Sequence, residues 1–208
     1  MKIVLSFIFL GLLVACTPSP SLFLKSNNQK QIIAIQPFNN NYDELLLTDL
    51  AFAINYFYNK KTIILKPIEI PAHFYDTTIN QYSADSLIML LSKLRNDTIV
   101  EVVGLTHNPI FTIKEKKGFM SSYDDNLFGY AHHPGNACVV SDFKFSSDYQ
   151  TLYRNRLRKV IIHEMGHNFG LSHCQNEKCL MSEKNGNTIN LDNGGTDYCQ
   201  KCKNILYH

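Results

Sequence analysis

The chain has 208 residues, enough for one ordinary domain. Its composition, 45% hydrophobic and 18% charged, excludes disorder over most of that length. Lys plus Arg total 20 against 18 for Asp plus Glu, a net charge of +2 with no run of five like charges, which excludes a nucleic-acid or other polyanion binder.

Met1 and Lys2 open the chain, and Ile3 to Val14 is apolar apart from Ser6 and Gly11. This is the form of a secretory leader, too short to serve as a permanent membrane helix. Leu13-Val14-Ala15-Cys16 resembles the lipobox of bacterial lipoproteins. The resemblance implies cleavage after residue 15, lipidation of Cys16, and a lipid anchor to a membrane of the bacterial envelope. Residues 16–30, with Pro18, Pro20 and several Ser and Asn, read as a tether. The domain is expected over residues 31–208.

Gln31 to Phe38 is β-rich and stops at Pro37 and an Asn cluster. Tyr42 to Tyr58 has helical spacing of apolar residues, with Asp43 and Glu44 in its first turn. Thr62 to Ile70 alternates like a strand, demoted near its end by Pro67. Ser83 to Leu94 reads as a helix capped by Ser83, and Thr98 to Leu105 as a buried strand. The polar stretch Asn108 to Asn126 reads as a long surface loop, Ala137 to Phe145 as a strand, and Tyr149 to Phe169 as the last long helix. This order predicts an α/β fold: one compact domain with a mixed, twisted sheet, a backing helix and an active-site helix.

On the last helix stands His163-Glu164-Met165-Gly166-His167, followed by Gly170 and His173. One helical turn separates His163 from His167, so both rings can reach one metal ion. Glu164 is placed to take a proton from water activated by that metal. Gly170 tolerates the left-handed turn that would bring His173 back as a third ligand. Three neutral imidazoles with one open position suit a catalytic Zn²⁺. An HExxH string alone is expected in roughly one in a hundred chains of this composition, but with the Gly and third His in roughly one in fifty thousand. The longer pattern therefore carries weight.

Cys174, Cys179, Cys199 and Cys202 follow directly, as two close pairs separated by a loop. That is the sequence form of a closed four-thiolate zinc site, which would staple a small C-terminal subdomain. Two disulfides are the competing reading for an exported chain. Cys138 reads as a small apolar residue of a strand. His132 and His133 could contact substrate or serve as extra metal ligands, but they read first as part of a solvated loop; His73, His107 and His208 have no ligand-spaced neighbour.

HEMGHNFGLSHC, four residues, Cys179, Leu180, Met181, seventeen residues, then Cys199 and Cys202 resembles the archaemetzincin signature at every fixed position. The resemblance covers residues 163 to 202. It implies a metzincin-like α+β fold and a zinc metallopeptidase, with His163, His167 and His173 on catalytic zinc and Glu164 as general base and acid. It further implies Met181 as the Met-turn and the four cysteines on a second, structural zinc. Metzincins hold peptide antiparallel to an edge strand, for which Ala137 to Phe145 is the candidate here, with Leu127 to Asn136 as the upper rim of the cleft. The expected partner is a peptide or protein substrate, with aminopeptidase action on short peptides left open and a monomer as the expected state. The rival function is a non-catalytic, zinc-bound peptide-binding lipoprotein; a metal buffer is a third. The presence of Glu164 speaks for the peptidase.

Overall fold

A computed structural model describes residues 31–116, 119–183 and 187–207. The segments expected to be leader and tether, Cys16 between them, and His208 lie outside the described residues.

Five strands form the main sheet: β1 (Ile32–Pro37), β2 (Thr62–Ile64), β5 (Ile99–Thr106), β8 (Gly129–Ala131) and β9 (Ala137–Ser141). Their order is β2-β1-β5-β9-β8, and only β8 runs antiparallel to its neighbour. The period-2 alternation of strands sorts the core into two layers. Ile33, Ile35, Val103, Leu105, Cys138 and Val140 face one side, while Ala34, Val102, Ala137 and Val139 face the other. Burial on both faces explains why these strands read as continuous apolar runs.

Helix α1 (Glu44–Tyr58) begins where the Asp43 carboxylate accepts from Leu46 N at 3.2 Å and ends on Asn59 at φ 53°. Its Leu46, Leu47, Leu50 and Ile54 pack on the first face of the sheet, beside α3 (Gln150–Asn168), which contributes Leu157, Ile161 and Met165. Helix α2 (Ala84–Ser92) starts under the Ser83 hydroxyl, which accepts from Ser86 N at 3.2 Å. Its Ala84, Leu87, Ile88 and Leu91 cover the second face. Among the described residues no helix is long and apolar enough to cross a membrane.

The expected strand over Thr62 to Ile70 pairs as β2 only to Ile64, with a single further bridge between Phe38 and Ile68 beyond Pro67. The expected loop from Asn108 to Asn126 is instead a hairpin, β6 (Ile110–Lys116) and β7 (Phe119–Asp124), in a second sheet with β3 (Tyr75–Asp76) and β4 (Gln81–Ser83). The polarity is that of a ribbon facing water, and Lys114 pairs with Asp124 across it at 2.5 Å. The expected edge strand is also corrected. β9 is interior, because Gly129–Ala131 pairs along its outer side and takes the edge itself.

The C-terminal tail holds two helices, α4 (Thr188–Asn193) and α5 (Gln200–Tyr207). Arg156 on α3 grips the Asp192 carboxylate through two bonds of 2.7 and 2.6 Å. Lys159 donates to the carbonyls of Leu191, Asp192 and Gly194 at 2.9, 3.0 and 3.1 Å. Leu191, Tyr198, Cys202 and Leu206 complete the seam with the first core layer.

Candidate active site

Helix α3 carries His163 and His167 on the face opposite its buried leucine and isoleucines, one turn apart. Gly170 ends it at φ +93°, and Leu171 N bonds back to Gly166 O at 2.9 Å. The chain reverses there, and His173 returns to the helix, as its sequence position predicts. The ring centroids of the three histidines lie 4.8, 5.4 and 4.9 Å apart. One ligand nitrogen from each falls within 4.8 Å of the others.

The backbone decides which nitrogen each helical ring offers. His163 Nδ1 donates to Leu180 O at 2.8 Å and His167 Nδ1 to Leu171 O at 2.7 Å. Each ring then turns its Nε2 lone pair toward the other, and the two Nε2 atoms stand 3.1 Å apart. Two such lone pairs repel unless a cation lies between them. Tetrahedral zinc with Zn–N near 2.0–2.1 Å needs about 3.3 Å between ligand nitrogens. The imidazoles therefore fit the ion that the motif implies. Burial holds His167 neutral by pushing its pKa down to about 4, against the upward pull of its bond to Leu171 O.

Glu164 lies on the adjacent side of the helix, against β8. A Cβ on Gly129 would meet Glu164 Cγ at 2.6 Å, so only glycine lets the edge strand pass this carboxyl. Burial raises the Glu164 carboxyl to about 8. A cation beside it would pull it back down. Glu164 and the three histidines open into one cavity of about 470 Å³, bounded by β8, His133, Leu127, Leu180 and Leu191.

Behind the histidines the four cysteines converge, each ligand sulfur within 4.8 Å of the others. Cys174 and Cys199 Sγ are 3.7 Å apart, as are Cys179 and Cys202 Sγ. A disulfide needs about 2.05 Å. Tetrahedral zinc with Zn–S near 2.3 Å needs about 3.8 Å between sulfurs, so these thiols fit a metal. The Cys202 backbone N–H holds Cys199 down at about 7, while burial pushes the Cys179 and Cys202 thiols up. Met181 is fully buried under α3 at Gly166, where an added Cβ would meet its Sδ at 2.5 Å.

Cys138 is buried in β9, as expected. His107 bonds the buried Asp142 at 2.7 Å, and His73 packs on Phe74, both away from the cavity. The loop histidines separate. His132 turns toward Asp85 at 3.4 Å, whereas His133 lines the cavity, its ring edge-on to His167 with centroids 6.1 Å apart. Gly129, the Leu180 carbonyl and a buried contact between Asn168 and Glu101 also shape the site, and none carries a motif.

The model of Peptidase family M54 matches residues 33–208. The chain belongs to this family. An archaemetzincin of Methanopyrus kandleri is 30% identical over 141 residues, 68% of this chain and 74% of that protein. One of Pyrococcus furiosus is 31% identical over 169 residues, 76% of this chain and 83% of its own length. The crystal structure of the Methanopyrus kandleri archaemetzincin superposes with TM-score 0.73 at 24% identity, covering 87% of this chain and 96% of that one. That of the Archaeoglobus fulgidus archaemetzincin complexed with malonate gives 0.69 at 25%, covering 84% and 99%. Membership of family M54 makes the chain a zinc metallopeptidase with an archaemetzincin fold, and its peptide substrates follow from that class.

Proposed function

We propose that His163, His167 and His173 hold the catalytic zinc, that Glu164 is the general base and acid, and that Cys174, Cys179, Cys199 and Cys202 hold a second, structural zinc. The observation that carries this reading is the pair of Nε2 lone pairs 3.1 Å apart, each oriented by a backbone carbonyl, beside a buried carboxylate in one cavity. When bound, the catalytic zinc supplies a Lewis-acid pole for the scissile carbonyl and the attacking water. An extended peptide lies along the free edge of β8 by strand addition, its scissile bond level with Glu164. Glu164 takes the proton of the attacking water and passes it to the leaving amine. The leucines of the cavity favour apolar side chains on short or unfolded peptides, a setting that suits aminopeptidase-like action. Met181 serves as the Met-turn floor.

Upstream, the reading keeps Cys16 as the lipidated residue of an envelope-anchored monomer. Metal analysis should return two zinc ions per chain. Incubation with a quenched-fluorescent peptide pool should give cleavage that Glu164→Gln lowers by about 10²–10⁴-fold at unchanged zinc content. A Glu164→Gln chain that keeps its function would favour the non-catalytic peptide-binding protein instead.

A further inference from the structure

The segment between β8 and β9 is held to the catalytic helix more tightly than a solvated loop requires. Gly135 N donates to Asn168 O at 3.1 Å, one residue beyond His167. An added Cβ at Gly135 would run into the Asn168 side-chain oxygen and the His132 carbonyl. Asn168 is itself fully buried, and its Nδ2 donates to the buried Glu101 on β5 at 2.5 Å. Asn136 ties the far end, through Val102 N at 3.3 Å and Ser92 Oγ at 3.1 Å. The residue carried into the cavity by this clamped loop is His133.

His133 stands apart from the three-histidine cluster: its ring is perpendicular to that of His167, at 86°, and it is exposed to the cavity. Its Nε2 faces the Ser172 hydroxyl at 3.4 Å, next to His173. A hydroxyl donating there leaves the ring proton on Nδ1. The cavity thus contains one imidazole that orients by its own contacts and is spare for substrate.

We propose that His133 is a catalytic residue, donating an N–H to the oxygen of the scissile carbonyl as that oxygen gains negative charge. The proposal rests on the peptidase reading above. Water oxygen bonds to the carbonyl carbon, the π pair moves onto the carbonyl oxygen, and Glu164 holds the water's proton. The pair then returns, the C–N bond breaks with its electrons on nitrogen, and the amine takes the proton from Glu164. His133 gives no proton away; it supplies a fixed dipole where charge develops. Neutral and protonated imidazole both carry an N–H, so the role does not depend on its charge.

The probe is a phosphinic pseudodipeptide with alanine and leucine side chains, whose tetrahedral phosphinate imitates the attacked carbon. Binding to the full zinc-loaded chain is measured by calorimetry, with acetohydroxamate as a chelating control. His133→Leu should weaken phosphinate binding by about 10–10²-fold, leave hydroxamate binding within about twofold, and keep the zinc content of the parent. His133→Gln, which retains an N–H, should recover part of the loss. In peptide cleavage His133→Leu should lower kcat by a similar factor with KM within about threefold. Unchanged phosphinate binding, loss of zinc, a rise in KM alone, or a parent chain that does not bind the phosphinate would each overturn the proposal. A parent chain that binds the phosphinate yet cleaves no peptide overturns the peptidase reading and with it the catalytic role of His133, whereas unchanged phosphinate binding by His133→Leu in an active parent overturns the His133 assignment alone.

Discussion

The two ligand clusters sit back to back and are held together in opposite ways. Two of the three histidines project from a 19-residue helix whose inner face is packed into the core, and their Nδ1 atoms are tied to backbone carbonyls. The four cysteines come from turns and the first residues of a short helix, joined by chain with little regular structure. The first cluster is positioned by packed regular structure and opens to a cavity; the second sits in chain with little regular structure of its own. Structural zinc sites of this kind contribute folding free energy outright, whereas catalytic ones keep a position free.

The difference makes the dependence between them unequal. The carbonyl orienting His163 belongs to Leu180, between Cys179 and Met181, and Leu180 N bonds Asp197 O at 2.9 Å. Cys174, adjacent to His173, donates its backbone N–H to Met181 O at 2.8 Å. Tyr198, adjacent to Cys199, bonds the Ile162 carbonyl at 2.7 Å and the Tyr58 hydroxyl at 2.7 Å. Each of these supports involves one of the four cysteines or its immediate neighbour in sequence.

The largest expected effect therefore follows from Cys202→Ser, which removes a buried sulfur ligand. Zinc should fall from both sites, and the melting temperature should drop by more than about 15 °C. His167→Ala tests the other direction. It should lose the histidine-site zinc and all measurable turnover, but keep about one zinc on the thiolates with a much smaller fall in melting temperature. Metal analysis and calorimetry on the two variants decide the matter. Retention of catalytic zinc by Cys202→Ser, or loss of both ions by His167→Ala, would break the asymmetry.

The histidine cluster was legible in the sequence because its spacing is local: one helical turn, then one glycine turn, fixes all three rings. The cysteine pairs are legible as a set, but spacing alone leaves metal and disulfide both open; the 3.7 Å sulfur separations are those of ligands around one ion. β1, β5 and β9 announce themselves as apolar runs buried on both faces. β8 does not, since Gly129, Tyr130 and Ala131 are too few to show a period, and the sequence pattern therefore places the edge one strand too far inward. The β6–β7 hairpin hid behind charges that belong on a ribbon facing water. The contact between Asn168 and Glu101 spans 67 residues and has no signal in either neighbourhood.

A smaller effect is expected where the catalytic helix meets the edge strand. Gly129→Ala would place a methyl group 2.6 Å from Glu164 Cγ, so either the carboxylate or the strand must move. Displacement by a few tenths of an ångström to an ångström should lower kcat by about 10–10²-fold while zinc content stays at the parent value. Loss of zinc instead would mean that the strain passes into the histidines. An unchanged kcat would mean that β8 yields and that Glu164 alone sets its own position.

The smallest effect concerns the buried carboxyl beneath this helix. Glu101 is 1% exposed, and burial raises its pKa from 4.5 to about 8 against the opposing pulls of the Asn168 amide and Arg95. The other titratable groups near it are Cys138, whose thiol burial also pushes up, and Glu164 farther along the same face. The unfolded chain loses the Glu101 proton near pH 4.5 while the native one keeps it to about pH 8. Between those values the native state binds more protons, so its stability falls as pH rises; below pH 4.5 the contribution is fully present, and above about pH 8 the loss is complete. The Asn168 Nδ2 donates to Glu101 Oε1, an oxygen that can accept in either protonation state of the carboxyl. Glutamine keeps an acceptor oxygen for Asn168 Nδ2 at every pH and has no proton to lose. Glu101→Gln should therefore change stability little at pH 4.5–5 and raise it by about 1–3 kcal/mol at pH 8 and above, read from urea midpoints across that range. Parallel profiles for the two proteins would mean that Glu101 ionises in the folded state near its ordinary value, and that Asn168 is held by a carboxylate.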